Sequence, residues 1–467
     1  MTEGLGLGDA YSATLGRIKR QGGERARLGM AALMWISHAK RPLKTDELCH
    51  ALGVEIGSPN LNVDNFPSIG TLLVCCQGLV VVEKEASTVR FIHFTFQEYL
   101  RAHPDLFGSA HSIVAEICLS YLNSQQVKAF SVNPSPDVQD TPFLEYASLY
   151  WGVHARRDLS DCAKSLALDL LSQYDNHIST AFLFSRTKPR NSPLSTRCLF
   201  TGLHCASYFG IIEVVAALIE MKGCNINQRD SIGHTPLLWA ARQGNGGVVR
   251  LLLTRGDVNP NMPDNGDGTP LWWASLFGHD WVVRLLLTRD DVDPDKPDNS
   301  GLTPLGLASL HGQEEVVRLL LGRDDVNPNK PDNHGQTPLW QASLGGREEV
   351  VRLLLTRNDV DPDKPDDRGL MPLGRASMDG HEGVVRLLLK RGDVNPDKPD
   401  NDGRTPLWWA SFGGHEEAVK LLLKQGNANP NKPDNFGQTP FMVASRSGYR
   451  DIIALLQHWT TPISSPD

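Results

Sequence analysis

The sequence predicts a mainly α protein. A C-terminal solenoid of stacked helix pairs follows a domain of three helices plus a β-hairpin and a helical bridging region. Three observations carry this prediction. A Thr-Pro step recurs every 34 residues from Thr235 to Thr439, with Met371-Pro372 once in its place. Apolar residues fall at helical spacing through most of the first 184 residues, and one pair of short β-branched runs at 79–93 interrupts them. The chain has 467 residues, enough for several domains. Apolar residues make up 40% and charged residues 21%, which supports a packed core and argues against wholesale disorder.

Residues 1–25 read as a leader helix after the Gly-rich stretch 4–8. Residues 25–38 then carry Leu28, Ala31, Leu33, Met34 and Trp35 at helical spacing. Thr45 is expected to cap a short helix over 46–52, ended by Gly53. A third helix is expected over 67–76, two strands over 79–83 and 89–93, and helix again over 96–102. Three helices followed by a β-hairpin is a winged-helix layout, placed at 26–104. From 110 to 184 the helical period returns, giving a bridging region over 105–184. Residues 185–197 hold Pro189 and Pro193 without a period and read as a linker.

Repetition organises the rest. Thr235-Pro236 returns at Thr269, Thr303, Thr337, Met371, Thr405 and Thr439, each followed by Pro, and Thr201-Gly202-Leu203-His204 fits one step earlier. Eight units therefore run from about 198 to 459, with 460–467 as a tail. In each unit Thr suits the N-cap and Pro the first helical position. A first helix such as 271–276 stops at Gly278, a second over 282–287 is apolar, and a loop with Pro294 and Pro297 leads on. One unit cannot bury both helices alone; stacked neighbours can. Met371 cannot cap as Thr does, at a cost of roughly 1 kcal/mol, and Gly374 in the same helix adds roughly 0.5–1 kcal/mol. Asp267 stands where other units carry the turn glycine and Gly268 follows it, so that hairpin is expected to shift by one residue. Trp272, Gly306, Trp340, Gly374 and Trp408 alternate, which points to a duplicated double unit. Each Trp is expected to lie over the Gly of a neighbouring repeat; the alternative is duplication without packing meaning.

These units resemble the ankyrin repeat family. The resemblance rests on Thr269-Pro270-Leu271, Ala274, Gly278-His279, Val283, Leu285-Leu286-Leu287, Asp291-Val292-Asp293 and Gly301, and it covers about 260 residues. The family's His after Thr-Pro-Leu survives only as His204, so the hydrogen bonds it makes are expected to be absent or replaced elsewhere. The resemblance implies a protein partner on the concave face, built from hairpin tips and first helices. The helix positions are Arg242, Leu276, Phe277, Leu310, His311, Leu344, Met378, Asp379, Phe412 and Arg446. The tip positions are Leu302, His334, Gln336, Arg368, Leu370, Arg404 and Phe436. The row Leu276, Leu310, Leu344, Met378 and Phe412 is apolar and suits a binding stripe, although part of it also suits packing into the helix layer.

The front half resembles the winged-helix region of the GPI inositol-deacylase type, which follows the NACHT domain in fungal NOD-like (STAND) proteins. The matching residues are Met34-Trp35-Ile36-Ser37, Arg41-Pro42-Leu43, Glu47-Leu48-Cys49-His50-Ala51-Leu52 and Ile92-His93-Phe94-Thr95-Phe96-Gln97-Glu98-Tyr99-Leu100. The resemblance covers about residues 10–104. Proteins of this kind often place ankyrin repeats after that region, in the order found here.

Several chemistries are not supported. There is no G-x-x-x-x-G-K-[ST], so no phosphate cradle of that type, and no H-E-x-x-H or G-x-S-x-G. Asp291-x-Asp293-x-Asp295 opens like a calcium loop, but Lys296 and Leu302 occupy the positions that need Gly and Glu. His93, at the end of an apolar strand, reads as a packing residue rather than a base. No catalytic residue, metal or cofactor is assigned. The eight cysteines form no C-x-x-C pair and read as buried or idle thiols of a reducing, cytoplasmic compartment. Basic and acidic residues balance at 19 each up to residue 200 and stand at 27 against 35 beyond it, which argues against a nucleic-acid partner. The longest apolar run, 28–36, is too short to span a bilayer, and the start lacks the pattern of a secretory signal, so no membrane role is expected. The expected function is a non-enzymatic protein–protein interaction module, the sensor or regulatory half of a fungal NOD-like signalling protein, with full-length NACHT relatives as further candidate partners. The alternative is a fragment of a nucleotide-dependent STAND ATPase whose NACHT domain is missing from this sequence.

Overall fold

The computed structural model describes residues 7–130, 141–187 and 199–460. Cys198, most of the expected linker, the Gly-rich start up to residue 6 and residues 461–467 of the tail lie outside the described residues. Contacts divide the chain into two compact units, residues 1–232 and 233–467. The fold is mainly helical, as expected.

In the first unit, α1 (Leu7–Arg20) is not a free leader. Tyr11, Leu15 and Ile18 share one helical face, and Leu15 and Ile18 are buried. The Tyr11 hydroxyl lies 2.6 Å from Thr95 Oγ1, and its ring is 4.9 Å from that of Phe96. After a short turn comes α2 (Gly23–His38), so the break expected at residue 25 falls inside a helix. β1 (Leu43–Lys44), α3 (Thr45–Gly53), α4 (Ile69–Cys75), β2 (Val80–Glu83), β3 (Thr88–Phe91) and α5 (Phe94–Ala102) complete a winged-helix layout. β1 adds a strand that was not expected: Leu43 pairs with Val89, and the antiparallel sheet runs β1-β3-β2.

Two polar expectations change. Thr45 does not cap α3 but is its first residue. Glu47, one turn in, accepts the Lys44 N–H at 2.8 Å and pairs with Arg41 at 2.6 Å. Charge-assisted bonds of this kind let a carboxylate stay buried. His93 is not a core residue either. It is exposed, and its Nδ1 accepts the Thr95 N–H, capping α5.

A helical layer packs against this domain: α6 (Ala110–Asn123), α7 (Gln125–Lys128), α8 (Leu144–Ala155), α9 (Asp161–Leu171) and α10 (Ser179–Thr187). Trp35 of α2 meets Phe143 and Tyr146 edge-on, with ring centroids 5.5 and 5.9 Å away, and all three are fully buried. α10 runs through the first three residues of the expected linker. The first repeat, α11 (Gly202–Phe209) and α12 (Ile212–Ile219), belongs to this unit and rests on α8 and α9. Its Thr-Gly step has a steric cause. A Cβ at residue 202 would lie 2.1 Å from the Leu171 carbonyl oxygen, so the proline of the other repeats has no room.

The second unit stacks seven helix pairs. First helices run Pro236–Arg242, Pro270–Phe277, Pro304–His311, Pro338–Leu344, Pro372–Asp379, Pro406–Gly413 and Pro440–Ser447. In six of them the Thr hydroxyl accepts the backbone N–H three residues on; at Met371 no side-chain cap forms. The second helices bury a repeated Val-Val pair and a Leu, such as Val316, Val317 and Leu320. Each buried side chain of this size contributes about 1.5–3 kcal/mol.

The hairpin at Asp267 does not shift. Asp267 adopts φ 62°, the left-handed conformation that Gly301, Gly335, Gly369 and Gly403 take at the equivalent position. Its N–H bonds the Asp264 carbonyl just as that of Gly301 bonds Asp298. Asp tolerates this region better than most residues. The Trp-over-Gly expectation also needs correction. The space over Gly306 is filled by Leu302, whose Cδ1 is 3.0 Å from a Cβ built there, and over Gly374 by Leu370. The tryptophans act one step away: the indole N–H of Trp272 donates to the Leu302 carbonyl and that of Trp340 to the Leu370 carbonyl, both at 3.1 Å. The double unit therefore pairs an indole with the backbone of a leucine that covers a glycine.

Candidate protein-binding surface

The hairpin tips are built on a repeated aspartate. Asp264, Asp298, Asp332, Asp366, Asp400 and Asp434 each accept two backbone N–H groups, two and four residues on; for Asp366 the donors are Arg368 at 3.0 Å and Leu370 at 2.8 Å. Several use the second oxygen to hold the first helix. Trp273 Nε1 donates to Asp264 at 2.7 Å, Gln341 to Asp332 at 2.9 Å and Trp409 Nε1 to Asp400 at 2.9 Å. Burial pushes the Asp264 carboxyl up, but hydrogen bonds from His234 and Trp273 outweigh it and hold it below its ordinary value. Neighbouring tips are tied by backbone bonds: Asn333 N–H to Ser300, Asp367 to His334, Asn401 to Arg368 and Asn435 to Asp402, each at 2.9 Å.

The first-helix row is fixed by the next repeat. His279, Gln313, Arg347, His381 and His415 donate to the carbonyls of Arg242, Leu276, Leu310, Leu344 and Met378. The side chains of Leu276, Leu310, Leu344 and Met378 are half-buried, while Phe277 and Phe412 are exposed at 47% and 48%. Part of the row thus packs, as its alternative reading had it, and part faces solvent. Arg242 stacks on Trp273, its guanidinium carbon 4.5 Å from the ring centroid, and Phe277 stacks on the same indole. Asp379 is engaged by Arg375 at 2.7 Å. His311, His334, Arg368, Phe436 and Arg446 are exposed. Leu302 is half-buried and Leu370 buried, both spent largely on covering glycines.

Six of the expected contact residues meet at one cavity of about 390 Å³: Gln336, Leu344, Arg368, Leu370, Met378 and Arg404. Spacing alone does not single out its other walls, Trp340, Arg375 and Trp409, with Asp366, Asp400 and Asp402. The one available signal is the Trp-Trp pair at 408–409, which repeats that at 272–273. Arg404 lies over both indoles of its pair, 4.8 Å from Trp408 and 5.2 Å from Trp409, and is bonded to Asp402 at 2.8 Å. Arg375 lies 5.4 Å from the Trp340 ring. Phe412 stacks on Trp408 at 5.3 Å. Trp340 and Trp408 are buried, so half-buried Trp409 and exposed Phe412 present the flat aromatic surface, beside guanidinium groups and paired charges, a composition suited to binding.

The loops on the other side of each unit serve the stack. Lys296, Lys330, Lys364, Lys398 and Lys432 donate through Nζ to carbonyls of the preceding repeat. Lys296 therefore sits in the calcium-like loop as a structural cation. Among the described residues no group of three or more His, Cys, Asp or Glu is placed to hold a metal ion. No helix among them is long and apolar enough to cross a membrane.

The family described as ankyrin repeats (3 copies) matches residues 203–298, 290–366, 357–434 and 373–466. The GPI inositol-deacylase winged helix domain matches residues 18–113. Among curated proteins, none matches this chain. The repeat matches together span more than half of the sequence, in agreement with the helix pairs, caps and tips described above: the chain belongs to the ankyrin-repeat family, with a winged helix domain of the GPI inositol-deacylase type ahead of the repeats.

Proposed function

We propose that the face made of hairpin tips and first helices binds a protein partner, and that the chain is the sensing or regulatory half of a fungal NOD-like signalling protein. Ankyrin repeats are non-catalytic interaction modules. The observation that carries the choice of surface is the cavity at Trp340 and Trp409. Trp and Arg dominate the energetically important positions of protein interfaces, and here they converge with Leu344 and Met378. The signalling role is supported by domain order, winged helix before repeats. A cytoplasmic setting is supported by the seven described cysteines, all of which are free.

The test is selection of peptide ligands on the intact chain from a displayed random library, followed by titration of variants. Leu344→Asp should weaken the selected peptides by about 2–4 kcal/mol, since it places a charge in the anchor pocket. Arg352→Ala, on a second helix and exposed, should leave them unchanged. Binders indifferent to Leu344→Asp but sensitive to Arg352→Ala would move the site to the opposite face. A chain that gains nucleotide affinity only with a separate NACHT domain present would favour the alternative of an incomplete STAND ATPase.

A further inference from the structure

A second cavity lies within the first unit, where the end of α2, α5, the first turn of α6 and the residues after α8 meet. It measures about 370 Å³, and its polar wall includes His38, Lys40, Gln97, Arg101, His111 and Arg157. No carboxylate lines it. Among the described residues, no ion pair compensates Lys40, Arg101 or Arg157. Asp158 exerts an opposing charge on His111 but stands outside the wall. Burial, and after it the Arg157 charge, hold the Lys40 ammonium below its ordinary value.

A hydrogen-bonded chain behind the wall fixes its polarity. Arg157 donates to His111 Nε2 at 3.3 Å. His111 Nδ1 then carries the proton and donates to His154 Nδ1 at 2.8 Å. His154 Nε2–H donates to the Tyr146 hydroxyl at 3.0 Å, which also accepts the Lys40 backbone N–H at 3.1 Å. This sequence of donors requires both imidazoles to be neutral. Burial pushes His111 down to about 4 and His154 to about 3, in keeping with that state. The chain thus seats the Arg157 side chain and the Lys40 backbone while adding no negative charge. His111 also lies in the first turn of α6, whose Ser109 makes no side-chain cap, so the positive end of a 14-residue helix faces the same region.

We infer that this pocket binds a phosphate dianion, free or as the head of a small phosphorylated molecule. Two guanidinium forks and an ammonium around one cavity match the tetrahedral oxygens of phosphate. A dianion relieves the repulsion among the three cations. The volume exceeds what one phosphate fills and lies within the range of small-ligand pockets.

Isothermal titration of the full chain with inorganic phosphate and with a hexose phosphate, at constant ionic strength in chloride, tests this. Saturable binding is expected, with Lys40→Met and Arg157→Gln each weakening it about tenfold or more, the worth of one charge-assisted hydrogen bond. Tighter binding of the hexose phosphate assigns the site to phosphorylated small molecules; equal binding assigns it to the free ion. Heats that never saturate, or that chloride reproduces, overturn the inference, as does unchanged affinity in both variants. Should Lys40→Met unfold the chain, Arg101→Gln carries the same reading, because that side chain is exposed.

Discussion

Trp340 and Trp408 occupy equivalent positions two repeats apart, and they are almost equally buried, at 3% and 5% exposure. Their indole nitrogens differ. That of Trp340 donates to the Leu370 carbonyl at 3.1 Å, whereas that of Trp408 is buried without a partner among the described residues. Replacing each by Phe removes similar apolar area and one N–H while keeping an aromatic ring for the guanidinium beside it, Arg375 at Trp340 and Arg404 at Trp408, so the difference between the two variants reports chiefly on the hydrogen bond. Loss of the bond at Trp340 costs about 1 kcal/mol, and removal of an unsatisfied buried donor at Trp408 relieves about 1–3 kcal/mol. Trp340→Phe should therefore be less stable than Trp408→Phe by about 2–4 kcal/mol. Urea unfolding with unchanged slope reads the difference. Long repeat arrays can unfold in steps, so amide exchange in the flanking helices is followed alongside. Equal losses in the two variants, or a larger loss at Trp408, would refute the assignment of the indole as a bridge to the next hairpin tip.

Three further outcomes are expected. Asp267→Gly should raise stability by about 1 kcal/mol or less, because glycine adopts the left-handed conformation without steric cost; a lowered urea midpoint contradicts that. The repeat that begins at Met371 should exchange its amides sooner than its neighbours, and uniform protection over 303–438 would argue that burial of Met371 replaces the missing cap. His177 is 7% exposed, donates from Nε2 to the Leu122 carbonyl and accepts the Ser179 N–H, and burial pushes it from 6.5 down to about 4. The unfolded chain takes up that proton first, so stability holds above pH 6.5 and falls as pH drops toward 4, by about 3 kcal/mol for this group. His177→Asn should flatten that slope between pH 6.5 and 4.5; an unaltered slope would assign the acid sensitivity elsewhere.

Local spacing made the helix pairs legible. Thr and Pro specify a helix start within four residues, and a glycine at the left-handed position specifies its stop, so each repeat is written in its own 34 residues. The tip positions were legible for the same reason, since one period fixes all of them. The cavity was not. Its walls run from Gln336 to Trp409, across three successive units, and no single period says which of those side chains turns toward another. Leu370 illustrates the point: its position marks it as a surface contact, yet the glycine at 374 leaves a space that it fills.

The amino-acid sequence alone determined the solenoid, its capping and the order of the two modules, because each depends on residues close together in the chain. Tertiary structure decided the rest. α1 joined the winged helix because Tyr11 reaches Thr95, 84 residues away. Gly202 replaced proline because the Leu171 backbone comes within van der Waals reach. Arg157, His111, His154 and Tyr146 form one donor chain because α6 packs against α8 and the residues that follow it. Packing between elements selects such contacts through shape and desolvation, and those quantities exist only once the chain has folded.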